Sequence, residues 1–526
     1  MPFTLLQAGN TLRSVNTDGG LSAVLTLPTG IALATNVTPR FARFGRYVIV
    51  VNTPQRPLSV DVSGVVRPLT PLPPSGAVAL STGAAGTLTG SFRALQTYKL
   101  LDTLGNIISE SDYGPLMTSA FAISSAKLRA TFPLSGETVS ASQIYRTTTN
   151  GGVYFQWSQV AGNTVNFVEN DLSDSAIGLL AAPELGSAPD LTLIAEFAGR
   201  LWGVERSQPD FLRYTTAGTM YGWSALNTLL IPRVGSDSAG ITALIPRRAA
   251  LGVSRHNTIV QVTGSQRTNF QPTIVNGGEQ AGCVSQETVK VLHDIAYWLG
   301  RDGVYKWDSE GIRCVSDGLV RTWFTGDTYF NRGMFWRAFA EIDPVTNTYN
   351  LFLSSAGSQM FDRWVSMDLN TGAWFGPHKT DAFNPSCAIR VAGRNQQPYY
   401  MVGSREGYLS QTQEPRNDWD LFPIEAQLTM RGDEQENPEQ EKYYGELSVH
   451  VEPQTSGTLT ITPALGSVDE ATDTAVMTAP LTQGRTRVGR IGTGNTMTLD
   501  FQNAELNVDA AIYGYEVDPV NEIGRR

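Results

Sequence analysis

Four histidines, His256, His293, His378 and His450, are the groups best suited to proton transfer near neutral pH or to holding a transition metal. They are scattered through different stretches with no HxH or HxxxH spacing. A zinc site or a His-based triad needs several groups to converge, so neither is expected. Cys283, Cys314 and Cys387 lie far apart with no CxxC pair, which predicts buried reduced thiols rather than a disulfide framework or a metal site. Carboxylates remain. A glycosidase needs two of them flanking one bond, but Asp237, Asp302, Asp308, Asp317 and Asp368 mostly sit in turns, where Asp is favoured because it bonds to nearby backbone amides. No catalytic residue, no cofactor site and no metal site is expected.

Shorter motifs carry little chemistry. Arg431-Gly432-Asp433 spells an adhesion tripeptide inside an acidic, turn-forming run, a chance match. Asn36-Val37-Thr38 is a glycosylation sequon that has no meaning without a secretory signal. Trp202, Trp223, Trp298, Trp307, Trp336, Trp364 and Trp374 recur through the middle of the chain. Stacking on bases or sugars is one use of such rings; packing between repeated units is the favoured one, because many fall in or beside strand runs.

The elements that must carry these residues are strands. Helical periodicity is nearly absent, and short apolar runs recur, each closed by a turn cluster. The strongest runs are GRLWGV from Gly199, ALGVS from Ala250, IAYWLG from Ile295, YNLFLS from Tyr349 and QPYYMVG from Gln397, spaced 51, 45, 54 and 48 residues apart. A period of ~40–50 residues built from antiparallel strands predicts propeller blades, each burying its faces only against neighbours. A sixth unit, RYVIVVN, starts at Arg46, 153 residues before Gly199, so an insertion of about two periods lies between. That insertion, from about Gly90 to Ile177, reads as a small β-sandwich, with Phe92, Ala94 and Tyr98 on one face and a reversing turn at Asp102–Asn106. A second sandwich follows from about Asp418, in the alternating runs YYGELSVHVEP, GTLTITPAL, NTMTLDFQN and AAIYGYEVDP.

Of 526 residues only 17% are charged, the formal net charge is −10 and the pI is about 5.1. No basic stripe of the kind that displaces phosphate counterions is visible, so DNA, if a partner, is not gripped tightly. MPFTLLQAGN lacks the pattern of a signal peptide, and no apolar run approaches the ~20 residues of a membrane helix. These features point either to a cytoplasmic protein or to one that leaves the cell by another route, such as inside a virion, with no membrane insertion.

Three segments resemble parts of one family. Phe92 to Asp174, with TYKLLDTLGNIISES, IYRTTTNGG and FVENDLSD, resembles the fibronectin type III-like insert of phage tail and stabilisation proteins. FAGRLWGV, GITALIPRRAALGVSRHNTIVQVTG and AGCVSQETVKVLHDIAYWLGRDGVYKWD are similar to the propeller of short-tailed (podovirus-type) bacteriophage nozzle, tail-hub or packaged-DNA stabilisation proteins. The end, IYGYEVDPVNEIGRR, is similar to their C-terminal part. The resemblance implies an all-β chain: N-terminal strands and a first blade in 1–88, a fibronectin type III-like insert in 89–180, the remaining blades of a β-propeller of about six in 181–416, and a C-terminal β-sandwich in 417–526. It further implies a non-enzymatic virion tail subunit, a hexameric ring between head-to-tail adaptor and distal tail or fibre proteins. Double-stranded DNA would pass through the ring without sequence-specific binding. A neutral or acidic lumen is expected to speed that passage, with the acidic run Asp433, Glu434, Glu436, Glu439 and Glu441 one candidate to face it. The alternative is an exterior tail protein that binds or hydrolyses host-surface glycans.

Overall fold

The structure, a computed structural model, describes residues 4–15, 20–52, 54–178, 180–234, 237, 239–318, 320–380, 383–392, 398–407, 409–411, 418–419, 422–423, 426–430, 440–466, 471–473, 476–503, 505 and 512–522. The chain is all-β, built from many small antiparallel sheets. Helix among the described residues is limited to one α turn, Arg321–Thr325, and two 3-10 turns, Gln286–Thr288 and Arg332–Arg337. Two compact units divide it, Met1–Cys314 and Val315–Arg526.

In the first unit, four meanders share one plan, each a sheet of four strands paired in sequence order. Meander one comprises Arg40–Phe44, Tyr47–Val51, Leu58–Asp61 and Val66–Pro68. Meander two comprises Leu191–Phe197, Arg200–Glu205, Phe211–Tyr214 and Thr228–Leu230. Meander three comprises Ala243–Pro246, Leu251–Ser254, Thr258–Thr263 and Gln271–Glu279; meander four comprises Lys290–Leu292, Ile295–Leu299, Val304–Trp307 and Ile312–Cys314.

Strand alternation stacks these sheets face to face. In meander three, Leu244, Leu251, Val253, Val260 and Val262 join a core with Trp202, Leu212 and Tyr214 of meander two. Their neighbours Ala243, Ile245 and Ile259 point the other way, into a core with Trp298, Tyr305 and Trp307 of meander four. A side-chain period of two therefore gives one sheet two apolar faces. Gly252 sits where a Cβ would lie 2.7 Å from the Trp307 ring, so a side chain there would displace the indole. Meander one shares its Ile49 and Val51 face with Leu191 and Leu201 of meander two. Its Val50, Leu58 and Val60 face is covered by an N-terminal hairpin (Thr4–Ala8 and Thr11–Val15) through Leu5 and Leu12, and by Leu33.

Between meanders one and two lies the insert. Ala79–Phe92, Phe121–Thr131 and Phe167–Asn170 form one sheet; Ala94–Leu101, Ile107–Glu110, Ala141–Thr147 and Tyr154–Ala161 form the other. They enclose Leu80, Phe92, Leu128, Ile144 and Trp157. Its first strand opens at Ala79, upstream of the expected boundary at 89, because ALSTGAAGTLTG carries almost no large apolar residues to mark it as a strand. Leu100 and Ile108 leave this core and pack with Ile49, Leu201 and Trp223, joining the insert to meanders one and two.

The second unit holds meander five (Phe339–Asp343, Thr348–Leu353, Arg363–Asp368 and Trp374–Lys379) and a three-stranded sixth (Pro385–Ala392, Pro398–Ser404 and Leu409–Gln411). Phe339, Phe352 and Phe361 of the fifth pack with Tyr400 and Val402 of the sixth. A second pair of sheets follows. Ala426–Thr429, Thr458–Gly466, Ala471–Asp473, Met477–Pro480 and Thr496–Asn503 form one; Lys442–Val451, Arg485–Gly494 and Ile512–Glu522 form the other. Tyr444, Leu447, Val449, Leu459, Ile461, Leu499 and Phe501 lie buried between them.

Candidate functional site

The first strands of meanders one to four converge on one cavity of about 380 Å³, lined by residues 41–43, 194–196, 244, 246, 286 and 289–291. A first strand pairs only with the second, so its other edge presents backbone groups that need partners. At Leu244 they are met by a side chain. Gln286 Oε1 accepts from the Leu244 N–H at 2.6 Å, and its Nε2 donates to the Leu244 carbonyl at 3.1 Å. One residue on, Glu287 pairs with Arg40, tying meander one to the turn that leads into meander four. Thr242 Oγ1 donates to the Cys283 carbonyl at 2.7 Å. Glu196 brings a carboxylate to the lining, but its Oε1 accepts from the Gly199 N–H at 3.1 Å and closes the turn to the second strand. Arg43 and Lys290 supply positive charge. This lining fastens strands together and offers no pair of carboxylates.

A second hollow, about 280 Å³, lies between meanders three and four. Arg247 stacks 4.5 Å from the centroid of Trp307 and spends its nitrogens on Asp294 and the Asp308 carbonyl. The ring face a sugar would need is already covered.

No family model matches the chain, and no curated protein sequence matches it. Among solved structures it is similar to Hsv2p of Kluyveromyces lactis, at 10% identity over 55% of this chain and 70% of that one, with a TM-score of 0.24. It is also similar to PorZ, a bacterial surface component of the type-IX secretion system of Porphyromonas gingivalis, at 9% identity over 99% of this chain and 74% of that one, with a TM-score of 0.27. Likenesses at these TM-scores carry no weight for fold or function.

Each histidine and cysteine singled out in the sequence lies in its own local setting. His256 is exposed in its hairpin turn, where partial desolvation and then Arg301 hold its pKa down. His293 occupies a turn at φ 49°. His378 lies 5.0 Å from Trp364, and burial lowers its pKa to about 4. His450 approaches Glu516 at 3.4 Å. Cys283 is buried and not disulfide-bonded, its thiol pushed up to about 12 by burial; Cys314 and Cys387, likewise without a disulfide, are half-buried. Among the described residues no three His, Cys, Asp or Glu gather as metal ligands.

Each aspartate serves local structure. Asp237 accepts from the Asn257 and Thr258 amides, Asp308 from the Glu310 amide and Asp368 from the Asn370 amide. Asp302 accepts from the Tyr305 hydroxyl, and Asp317 pairs with Arg321. The tryptophans divide. Trp202 meets Phe270 of meander three at 4.8 Å, whereas Trp336 is 64% exposed. The Arg431-Gly432-Asp433 tripeptide and the acidic run through Glu439 lie outside the described residues; Glu441 is exposed.

Two buried charge networks were missed. Arg255 is fully buried in the SRHN turn, and its guanidinium bonds Asp210 and the Ala239 and Ile231 carbonyls, with Asp210 also held by Arg233. On the insert, Glu110 is buried and accepts from Thr97 Oγ1 at 2.6 Å and the Tyr145 hydroxyl at 2.7 Å. Facing it across the ladder, Lys99 donates to Gln143 at 2.9 Å, and burial lowers its pKa. Tyr221 of meander two lies close enough that Glu110, after burial, helps raise its phenol pKa. Alternation within TYKLLD and IYRTTT hints at a polar face, but nothing local says that it is covered.

Proposed function

We propose that this chain is a non-catalytic structural subunit of a short-tailed phage nozzle, assembling as a hexameric ring through which the genome leaves. The observation that carries the reading is the order of modules along the chain. A four-stranded meander comes first, then a two-sheet insert, then further meanders of the same plan, then a second two-sheet module. The resemblance requires that order. Convergence of four first strands on one cavity supports reading the meanders as blades of a propeller. The insert, with three strands facing four, supports the fibronectin type III-like reading.

In this reading the subunit binds the head-to-tail adaptor on one side and distal tail or fibre proteins on the other. DNA passes without being held, and the net charge of −10 per subunit favours a bore that repels it. Acidity facing the bore matters only within about one Debye length, ~8 Å at physiological salt. Electron microscopy of the purified full chain is the test. Closed rings of sixfold symmetry with an open bore are expected, and a chain that stays single at all concentrations would overturn the reading.

A further inference from the structure

We infer that Lys99 and Gln143 of the insert react with each other to form an isopeptide bond, releasing ammonia, with Glu110 carrying the proton from one nitrogen to the other. The three side chains share one face of the four-stranded sheet, opposite to the face that Ala94 and Ile144 turn into the core of the insert. Along Ala94–Leu101, Thr97 lies across from Gln143 and Lys99 across from Ala141, while Glu110 faces Lys99 from the other neighbouring strand. Ala141 is too small to fill the place opposite Lys99, so the long side chain leans to its diagonal neighbour, Gln143. Lys99 Nζ donates to Gln143 Oε1 at 2.9 Å. The carbonyl carbon it would attack lies one C=O length, about 1.2 Å, beyond that oxygen, so a small swing of the amine gives a near-attack pair. Lys99, Glu110 and Gln143 are 3%, 2% and 0% exposed, which keeps water out of the reaction.

The groups around the amide suit this chemistry. Gln143 Nε2 donates to the Ile144 carbonyl at 3.1 Å and the Ser158 carbonyl at 3.0 Å, which fixes the amide with its oxygen towards Lys99. Gln156 Nε2 donates to the same oxygen at 2.9 Å, a second donor where the negative charge of a tetrahedral intermediate gathers. An amine attacks only when neutral, and burial lowers the Lys99 pKa against the pull of Glu110. The lone pair of Nζ adds to the Gln143 Cδ, and the C=O electron pair moves onto Oε1. As the carbonyl re-forms, the Cδ–Nε2 bond breaks. One Nζ proton passes by way of the Glu110 carboxylate to Nε2, which departs as ammonia. Thr97 Oγ1 and the Tyr145 hydroxyl both donate to Glu110 Oε1, which leaves Oε2 to carry that proton. The product is an amide between neighbouring strands, and no oxidant, metal or co-reactant is consumed.

The test is the mass of the purified full-length chain, measured after denaturation. Wild type is expected to weigh one ammonia less than its sequence. A tryptic digest is expected to yield the segments holding Lys99 and Gln143 as one branched peptide, uncut after Lys99. Lys99→Arg, which keeps the positive charge but not the nucleophile, is expected to retain the ammonia with circular dichroism unchanged. Glu110→Gln is expected to retain it as well, and Glu110→Asp, which restores a carboxylate, to link slowly. A Glu110 needed only for packing would leave both folded variants linked like wild type, and that result overturns its part in the reaction. Wild type at its full sequence mass, or an ammonia loss that maps to other residues, overturns the inference whether or not any variant folds. The measurement is made on single denatured chains, so its outcome is independent of the ring reading.

Discussion

Gln286 and Leu244 are joined as two strands would be: one side-chain amide both accepts from the Leu244 N–H and donates to the Leu244 carbonyl. The edge of meander three is thus finished by the segment that starts meander four. Gln286→Leu removes both bonds and leaves two backbone groups unmatched, at a cost of about 1–3 kcal/mol. The urea midpoint of the variant is expected to fall accordingly. Gln286→Glu also loses stability, because a carboxylate can accept from the amide but cannot donate to the carbonyl. A Gln286→Leu midpoint equal to wild type refutes this role.

The buried Arg255 predicts a larger effect. Asp210→Asn leaves that guanidinium without its carboxylate, and breaking such a pair on one side costs about 3–5 kcal/mol. Arg233 and Arg255 hold the Asp210 carboxyl below its usual range through their hydrogen bonds. A depressed carboxyl contributes stability that is present above its unfolded pKa and lost as pH falls through the folded one. Acid unfolding of wild type is therefore expected to steepen below about pH 4, and Asp210→Asn is expected to flatten that limb. Parallel acid limbs in the two proteins would rule the network out.

His378 acts in a higher pH window. Its pKa is lowered to about 4 by burial, while the unfolded value stays near 6.5. Between those values the unfolded chain binds the extra proton, so stability falls as the pH drops from about 6.5 towards 4. His378→Gln is expected to lose that dependence while keeping the wild-type slope at more acidic pH. Nuclear magnetic resonance titration of the ring, finding protonation near pH 6.5 in the folded chain, would contradict it.

Cysteine reactivity should separate the three thiols. Cys283, buried with its pKa pushed up to about 12, presents almost no thiolate at pH 8. Alkylation of the native protein followed by peptide mapping is expected to leave Cys283 unmodified and to label Cys314 and Cys387 faster. Rapid native labelling of Cys283 would mean that the packing of Trp298 and Thr288 around it opens readily.

The repeat was legible because of which strand carries it. Tyr47–Val51, Arg200–Glu205, Leu251–Ser254, Ile295–Leu299, Thr348–Leu353 and Pro398–Ser404 are each the second strand of a meander. A second strand is paired along both edges, and Leu251–Ser254 is buried throughout. Such strands read as unbroken apolar runs. Fourth strands such as Gln271–Glu279 are mostly exposed and left no such mark. The insert's opening strand was hidden for a related reason, since its small residues give no alternation to read.

Sequence alone determined an all-β chain, the spacing of its meanders and the turn duties of Asp308 and Asp368, because these depend on neighbours a few residues apart. Only the tertiary structure decided which carboxylate meets which guanidinium. Asp210 and Arg255 are 45 residues apart, and Gln286 reaches Leu244 across 42. Pairings at that range follow from how twisted sheets stack, and a local pattern of residue types does not encode them. The contrast between buried Phe335 and exposed Trp336 was likewise decided in three dimensions, since the two are adjacent in the chain and only packing sends one inside and leaves the other in solvent.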